Sequence, residues 1–307
     1  MAQQKTANNP HNHIKLYNAP SDHITMVVVY AFTFLMALCV LVPLIFVVAA
    51  SFSSPDALLS AKVFLWPVDF TLRGYKMVIE HEMLPTGFKN TLIYAGLGTS
   101  INIIMTVLAA YPLSRKDLKI RNAVMMLFAF TMLFNGGMIP TYLLVKSLGL
   151  IDTIWAMVLP NALAVWNLII TRTYFQTTIP DEMLESANID GCDDFKFLIK
   201  MVIPLSVPIL AVNVLLYAVG HWNSYFNAML YLNDNTLYPL QLVLRDILIQ
   251  DDTAGMSMDV TKQLEKQQTR YLLQYSTIVV GTVPVMLLYP LIQRYFVTGI
   301  MVGAVKG

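Results

Sequence analysis

From Ile24 to Ala50 the chain carries no charged residue. A helix needs about 20 apolar residues, at about 1.5 Å each, to cross the hydrocarbon core of a bilayer. This run meets that need, and it exceeds the roughly 7–15-residue apolar core of a cleaved signal peptide. It is therefore read as a permanent first span. Five more apolar runs follow: Thr91–Leu113, Ala123–Leu144, Thr153–Ile170, Ile203 to about Phe226, and about Tyr275 to Tyr295. Asn135-Gly136-Gly137 interrupts the third and Pro160 lies in the fourth, so these two are candidates for broken helices. Such breaks are tolerated where neighbouring helices satisfy the freed backbone groups. The other four are expected as plain spans. A β-barrel would show alternating segments of about ten residues instead of long uniform runs.

Composition closes off the remaining classes. Hydrophobic residues make up 56% and charged residues 13%, against about 25% charged in a soluble domain; mean hydropathy is +0.59. Such a surface cannot stay dissolved as a globule, and disordered chains are polar and charged. Two cysteines, Cys39 and Cys192, cannot make a disulfide scaffold. A net charge of +1 supplies no field for nucleic acid. The expectation is an all-α integral membrane protein of six transmembrane helices. Residues 1–22 form a polar tail, and residues 23–307 form a single transmembrane domain.

Six spans put both termini on one side. Arg115, Lys116, Lys119 and Arg121 fall in the short loop after the second span, and the positive-inside rule places that loop in the cytoplasm. Both termini and the loop between spans four and five share that side. The loop at about 228–274 is then extracellular. It is long and polar, with Asp234, Asp246, Asp251, Asp252 and Asp259, and loops of that length are usually functional or disordered.

The segment 178–204 is the most informative. Thr178 and Pro180 read as a helix start, with Asp181 and Glu182 complementing the helix dipole. Met183, Leu184, Ala187 and Ile189 give the helix an apolar side. Gly191 should break it, because glycine accepts left-handed backbone angles. Asp193 and Asp194 then open a second short helix through Phe195, Phe197, Leu198 and Met201, and Pro204 stops it or opens span five. A membrane-surface helix is usually basic on its polar face. This one carries Asp181, Glu182, Glu185 and Asp190 before the glycine, which suits a protein partner.

At these residues the chain resembles the membrane permease subunit of ABC importers, the binding-protein-dependent transport family. Its cytoplasmic signature reads E-A-A, three residues, G, nine residues, I-x-L-P. Here Glu185-Ser186-Ala187 precedes Gly191 by three residues, and Met201-Val202-Ile203-Pro204 follows after nine. Ser186, Met201 and Ile203 are small-for-small or apolar-for-apolar departures. Gly87–Leu92, Ala110–Arg115, Asn135–Tyr142, Trp222–Asn227 and Gly299–Gly303 add to the likeness. They point to the carbohydrate-uptake branch, near permeases for complex oligosaccharides in Gram-positive bacteria.

The resemblance implies the type I importer permease fold, with 178–204 as a two-helix coupling element, in a bacterial cell membrane. It implies a second related permease, two ATPase subunits and an extracellular sugar-binding lipoprotein. The chain has no Gly-x-x-x-x-Gly-Lys-[Ser/Thr] run, so it is not expected to be the ATPase itself; the resemblance implies that it binds no cofactor of its own and that ATP and Mg belong to the partner ATPase. Glu185 is implied to pair with a basic ATPase residue and Ala187 to keep the helix close to its groove, with Ser186 among the same ATPase-coupling residues. Gly191 is implied to form the elbow and Asp190 to steady it. The tail from Thr298 is implied to reach the ATPase subunits, and the long outer loop to probe the binding protein's sugar cleft.

Polar residues inside the spans mark either a path or helix–helix hydrogen bonds. Asn135, Asn161, Asn167, Asn213, His221 and Asn223 are of this kind. The expected substrate pathway is Asn213, Tyr217, Trp222 and Asn223. An ABC importer for a non-sugar cargo would share the signature loop. An ion-coupled secondary transporter would need acids inside the spans, and the six runs hold none. No H-E-x-x-H or G-x-S-x-G motif suggests an enzyme.

Overall fold

The computed structural model describes residues 20–253 and 260–304. The expected tail, apart from its last three residues, lies outside this range, as does part of the long polar loop. Among the described residues the chain is helical, joined by turns, bends and short irregular links. The first apolar run forms α1 (Pro20–Ser51). Large apolar side chains project from every side of it, and only its last turn, at Ala49, Ala50 and Ser51, is buried within the chain. A helix apolar all round needs an apolar surround, here lipid or another subunit. Two short helices follow, α2 (Pro55–Leu59) and α3 (Arg73–Ile79).

The second run forms α4 (Leu84–Ser114), about 46 Å long at 1.5 Å per residue. It is the central post, burying Thr91, Asn102, Thr106 and Ala110 completely. The third run is two helices, α5 (Arg121–Leu133) and α6 (Met138–Ser147), meeting at 110°. Gly137 sits between them at φ +84°, a backbone angle that favours glycine. The Asn135 side chain accepts from its N–H at 3.0 Å. The fourth run is α7 (Ile154–Val158), a 3-10 turn at Leu159–Asn161 containing Pro160, then α8 (Val165–Thr178) at 51°. Both expected breaks are therefore present.

Next come α9 (Asp181–Ile189), α10 (Asp194–Phe197), a π turn at Leu198–Val202 and α11 (Ile203–Leu205). A bend of 81° at Ser206 leads into α12 (Val207–Trp222). The fifth span was expected unbroken, so this is a correction. Pro204 opens no span. Pro208 lacks an N–H, and its ring clashes with the carbonyl four residues back, which is that of Pro204.

The polar loop at about 228–274 is also corrected, because most of it is helical. It contains the end of α13 (Tyr225–Tyr231), a 3-10 turn at Asn235–Leu237, α14 (Leu240–Thr253) and the start of α15 (Val260–Ala304). Leu240, Val243, Leu244 and Ile247 of α14 are buried against Val78, Leu84 and Trp222. Among the described residues three helices are long and apolar enough to cross a membrane, or up to six if each bent pair counts as one.

Candidate functional site

The signature segment folds as two helices about a glycine elbow. Pro180 is the residue before α9, so Thr178 ends α8 instead of helping to start α9. The elbow is a Schellman turn. The Gly191 N–H donates to the Asn188 carbonyl at 3.0 Å, and the Cys192 N–H to the Ala187 carbonyl at 2.9 Å. Gly191 has φ +71°. Asp193 caps α10 by accepting from the Lys196 N–H at 2.7 Å. Among the described residues the Asp190 carboxylate makes no hydrogen bond, so the backbone holds the elbow.

Met183, Leu184, Ala187 and Cys192 pack against a core of Leu113, Phe175, Phe197 and Val202. Glu185, Ser186 and Asp190 face outward. Ile189, expected on the apolar side, is 87% exposed, and Phe195 is 64% exposed. The helix is thus docked by one face and presents a carboxylate and bare apolar groups on the other.

The basic loop after α4 grips this element. Arg115 donates from Nε and Nη2 to Asp117 at 2.9 and 2.8 Å. It donates from Nη1 to Asp194 at 2.6 Å and to the Tyr111 hydroxyl at 2.8 Å. Its side chain is 14% exposed. Burial works against its charge, but these partners hold its pKa above the ordinary arginine value. The Arg115 hydrogen bond keeps the Asp117 carboxyl below the usual carboxylate range. Lys116 pairs with Asp181. Arg172 of α8 donates to the Leu113 carbonyl at 2.8 Å, and Arg121 to the Arg115 carbonyl at 2.9 Å. Basic groups thus satisfy the free carbonyls at the end of α4 and complement its dipole. The sequence showed this cluster only as a topology marker. Its partners on the signature helices lie 65 and 79 residues away, so no local signal announced them.

Inside the bundle, polar side chains tie α4 to α8 and α12. Asn213 is wholly buried and donates to the Thr171 hydroxyl at 2.6 Å. Tyr217 shares a hydrogen bond with Thr106 at 2.7 Å, and its oxygen accepts from the Ala164 N–H at 3.3 Å. His221 Nε2 lies 2.7 Å from Asn102 Oδ1, and Asn102 donates to the Asn161 carbonyl at 2.6 Å. The Trp222 indole donates to the Gly281 carbonyl at 2.9 Å. Tyr217, His221, Asn102, Asn161, Asn167 and Trp166 line a cavity of about 400 Å³. Asn223 is exposed and lines a different one of about 510 Å³ with Arg245 and Gln241. Of the four expected path residues, Tyr217 and Asn223 therefore reach open space. Asn213 and Trp222 instead bind neighbouring helices. Asn102 was not anticipated, although an Asn amid Ile and Met in the second run was a usable signal.

Residues 102–302, more than half the chain, match the family model "Binding-protein-dependent transport system inner membrane component". A polygalacturonan/rhamnogalacturonan transport system permease protein, YtcP, of Bacillus subtilis is 42% identical over 91% of this chain and 97% of its own length. Protein LplC of the same organism is 39% identical over 87% of this chain and 90% of its length. A chain of a bacterial ABC transporter involved in the import of the acidic polysaccharide alginate superposes with a TM-score of 0.80. It is 33% identical, over 91% of this chain and 99% of that one. The chain belongs to the family of binding-protein-dependent transport system inner membrane components.

Proposed function

We propose that this chain is one of two related permease subunits of an ATP-driven importer, and that it forms half of the membrane pathway for an oligosaccharide. The six spans are the long helices α1, α4 and α15, the bent pairs α5–α6 and α7–α8, and α12 after its bend at Ser206, with both termini in the cytoplasm. Residues 178–204 are the coupling element and residues of about 228–274 face outward. Two ATPase subunits supply ATP and Mg chemistry, and an extracellular lipoprotein delivers the sugar. Closure of the ATPase dimer moves α9 as a lever and rocks the spans between inward-facing and outward-facing states.

The observation that carries this reading is the exposed outer face of the elbow. Glu185, Ile189 and Phe195 stand free on a helix pair whose other face is docked on the bundle. That leaves an anion and apolar anchors for a partner subunit, with Ser186 and Asp190 on the same outer face, Ala187 seating the helix on the bundle and Gly191 forming the turn. The named relatives handle polygalacturonan/rhamnogalacturonan and alginate, so fragments of an acidic polysaccharide are the cargo we infer. Tyr217 and Asn223 face that cargo, with Asn213 and Trp222 bracing them from behind. Arg245, in the Asn223 cavity and 3.7 Å from Asp246, has donors to spare for a sugar carboxylate.

Gentle detergent extraction of the tagged chain, followed by mass spectrometry, tests the reading. A second permease, an ATPase and a sugar-binding lipoprotein should accompany it. Recovery of the chain alone, or only with copies of itself, would refute it.

A further inference from the structure

The docked face of α9 and α10 is held by apolar contacts, which are non-directional and permit sliding. Arg115 is different. Its planar guanidinium engages two carboxylates and a hydroxyl at once through four hydrogen bonds. The three bonds to Asp117 and Tyr111 hold the guanidinium in place at the end of α4, as they could not hold a lysine, and the fourth, from Nη1 to Asp194, crosses to the signature helices. Lys116–Asp181 adds a second link, to the start of α9. Pro112 weakens the last turn of α4 by removing the backbone bond to Leu108. The Arg172–Leu113 bond refastens that same turn. About 18 Å along the same helix, at 1.5 Å per residue, Asn102 binds His221 on the wall of the polar cavity.

We propose that Arg115 is a positioning residue that locks the coupling element to the end of α4, so that movement of α9 and α10 reaches the Asn102–His221 wall of the cavity. The proposal rests on reading 178–204 as the element that meets the ATPase. α4 is the transmission element. Without the Arg115 fork, the helix pair slides on its apolar seat and the motion is lost before it reaches the spans.

The test uses the assembled importer in liposomes, with Cys39 and Cys192 replaced and spin labels at Asn188→Cys and Ser100→Cys, two exposed sites on α9 and α4. Pulsed EPR reads the distance between them with and without ATP. One narrow distance, unchanged by ATP, is expected with Arg115 present. Arg115→Gln and Asp194→Asn should each lose it, giving a broader distribution that shifts when ATP is added. The double variant should be no worse than either single. Asp194→Glu, which keeps the carboxylate, should restore the narrow distance. A purely structural role would not give an ATP-dependent shift or that rescue. If Arg115→Gln fails to assemble, Asp194→Asn decides. A distribution unchanged by loss of either partner overturns the proposal. If adding the ATPase subunits leaves the Asn188 label's mobility unaltered, the coupling-element reading itself fails, and the proposal with it.

Discussion

Gly98 sets how closely α4 approaches α12. A Cβ there would lie 2.4 Å from the His221 ring, closer than real contacts allow. Gly98→Ala should therefore push the ring off Asn102 and lower stability by about 1–3 kcal/mol, as overpacking does. Thermal unfolding in detergent would measure it. Asp152 is a second residue where local geometry decides a property. It sits at φ +58°, and its carboxylate accepts from the Asn233 side chain at 2.9 Å and the Asp234 N–H at 3.0 Å. The Asn233 hydrogen bonds hold its pKa below the ordinary value. A depressed carboxyl stabilises the fold above its unfolded pKa, and that stability is lost as pH falls through the folded pKa. The difference in melting temperature between the native chain and Asp152→Asn should therefore shrink as pH drops below the usual carboxylate range. A difference constant with pH would contradict the assignment.

At the scale of elements, the elbow is the sharpest case. Gly191 needs φ +71°, whereas proline is fixed near −65°. Gly191→Pro should abolish sugar uptake while the chain still reaches the membrane, as uptake assays and membrane immunoblots would show. Normal uptake would sink the lever mechanism. This element was legible in the sequence because its signals are local: acids at a helix start, a glycine at its end, an aspartate cap. The breaks at Asn135–Gly137 and Pro160 were legible for the same reason. The bend at Ser206 was missed, although Pro204 and Pro208 flank it. α14 was missed because its aspartates read as loop. Yet Leu240, Val243, Leu244 and Ile247 have the i, i+3, i+4, i+7 spacing of a buried helical stripe.

At the scale of the whole molecule, the proposed orientation rests on where the basic groups lie. Cysteine at position 119, in the loop gripping α9, should react with a membrane-impermeant reagent only from the cytoplasm. Cysteine at position 233, beside Asp152, should react only from outside. Reversal would invert the topology and remove α9 from the ATPase side. α1 adds a constraint of its own. Its apolar surface has almost no partner within the chain, so it needs an apolar surround of lipid or of another subunit.

The sequence alone determined that this chain lives in a bilayer, because a long uncharged run has no other low-energy home. It also determined the elbow and the family signature, since these depend on residues a few positions apart. Only the tertiary structure decided which polar groups meet. Asn213 turned to Thr171, Asn102 to His221, and Arg115 to Asp194. Each of those pairs spans 42 to 119 residues. Hydrogen-bond geometry is set by how helices cross, and no spacing along the chain encodes that directly.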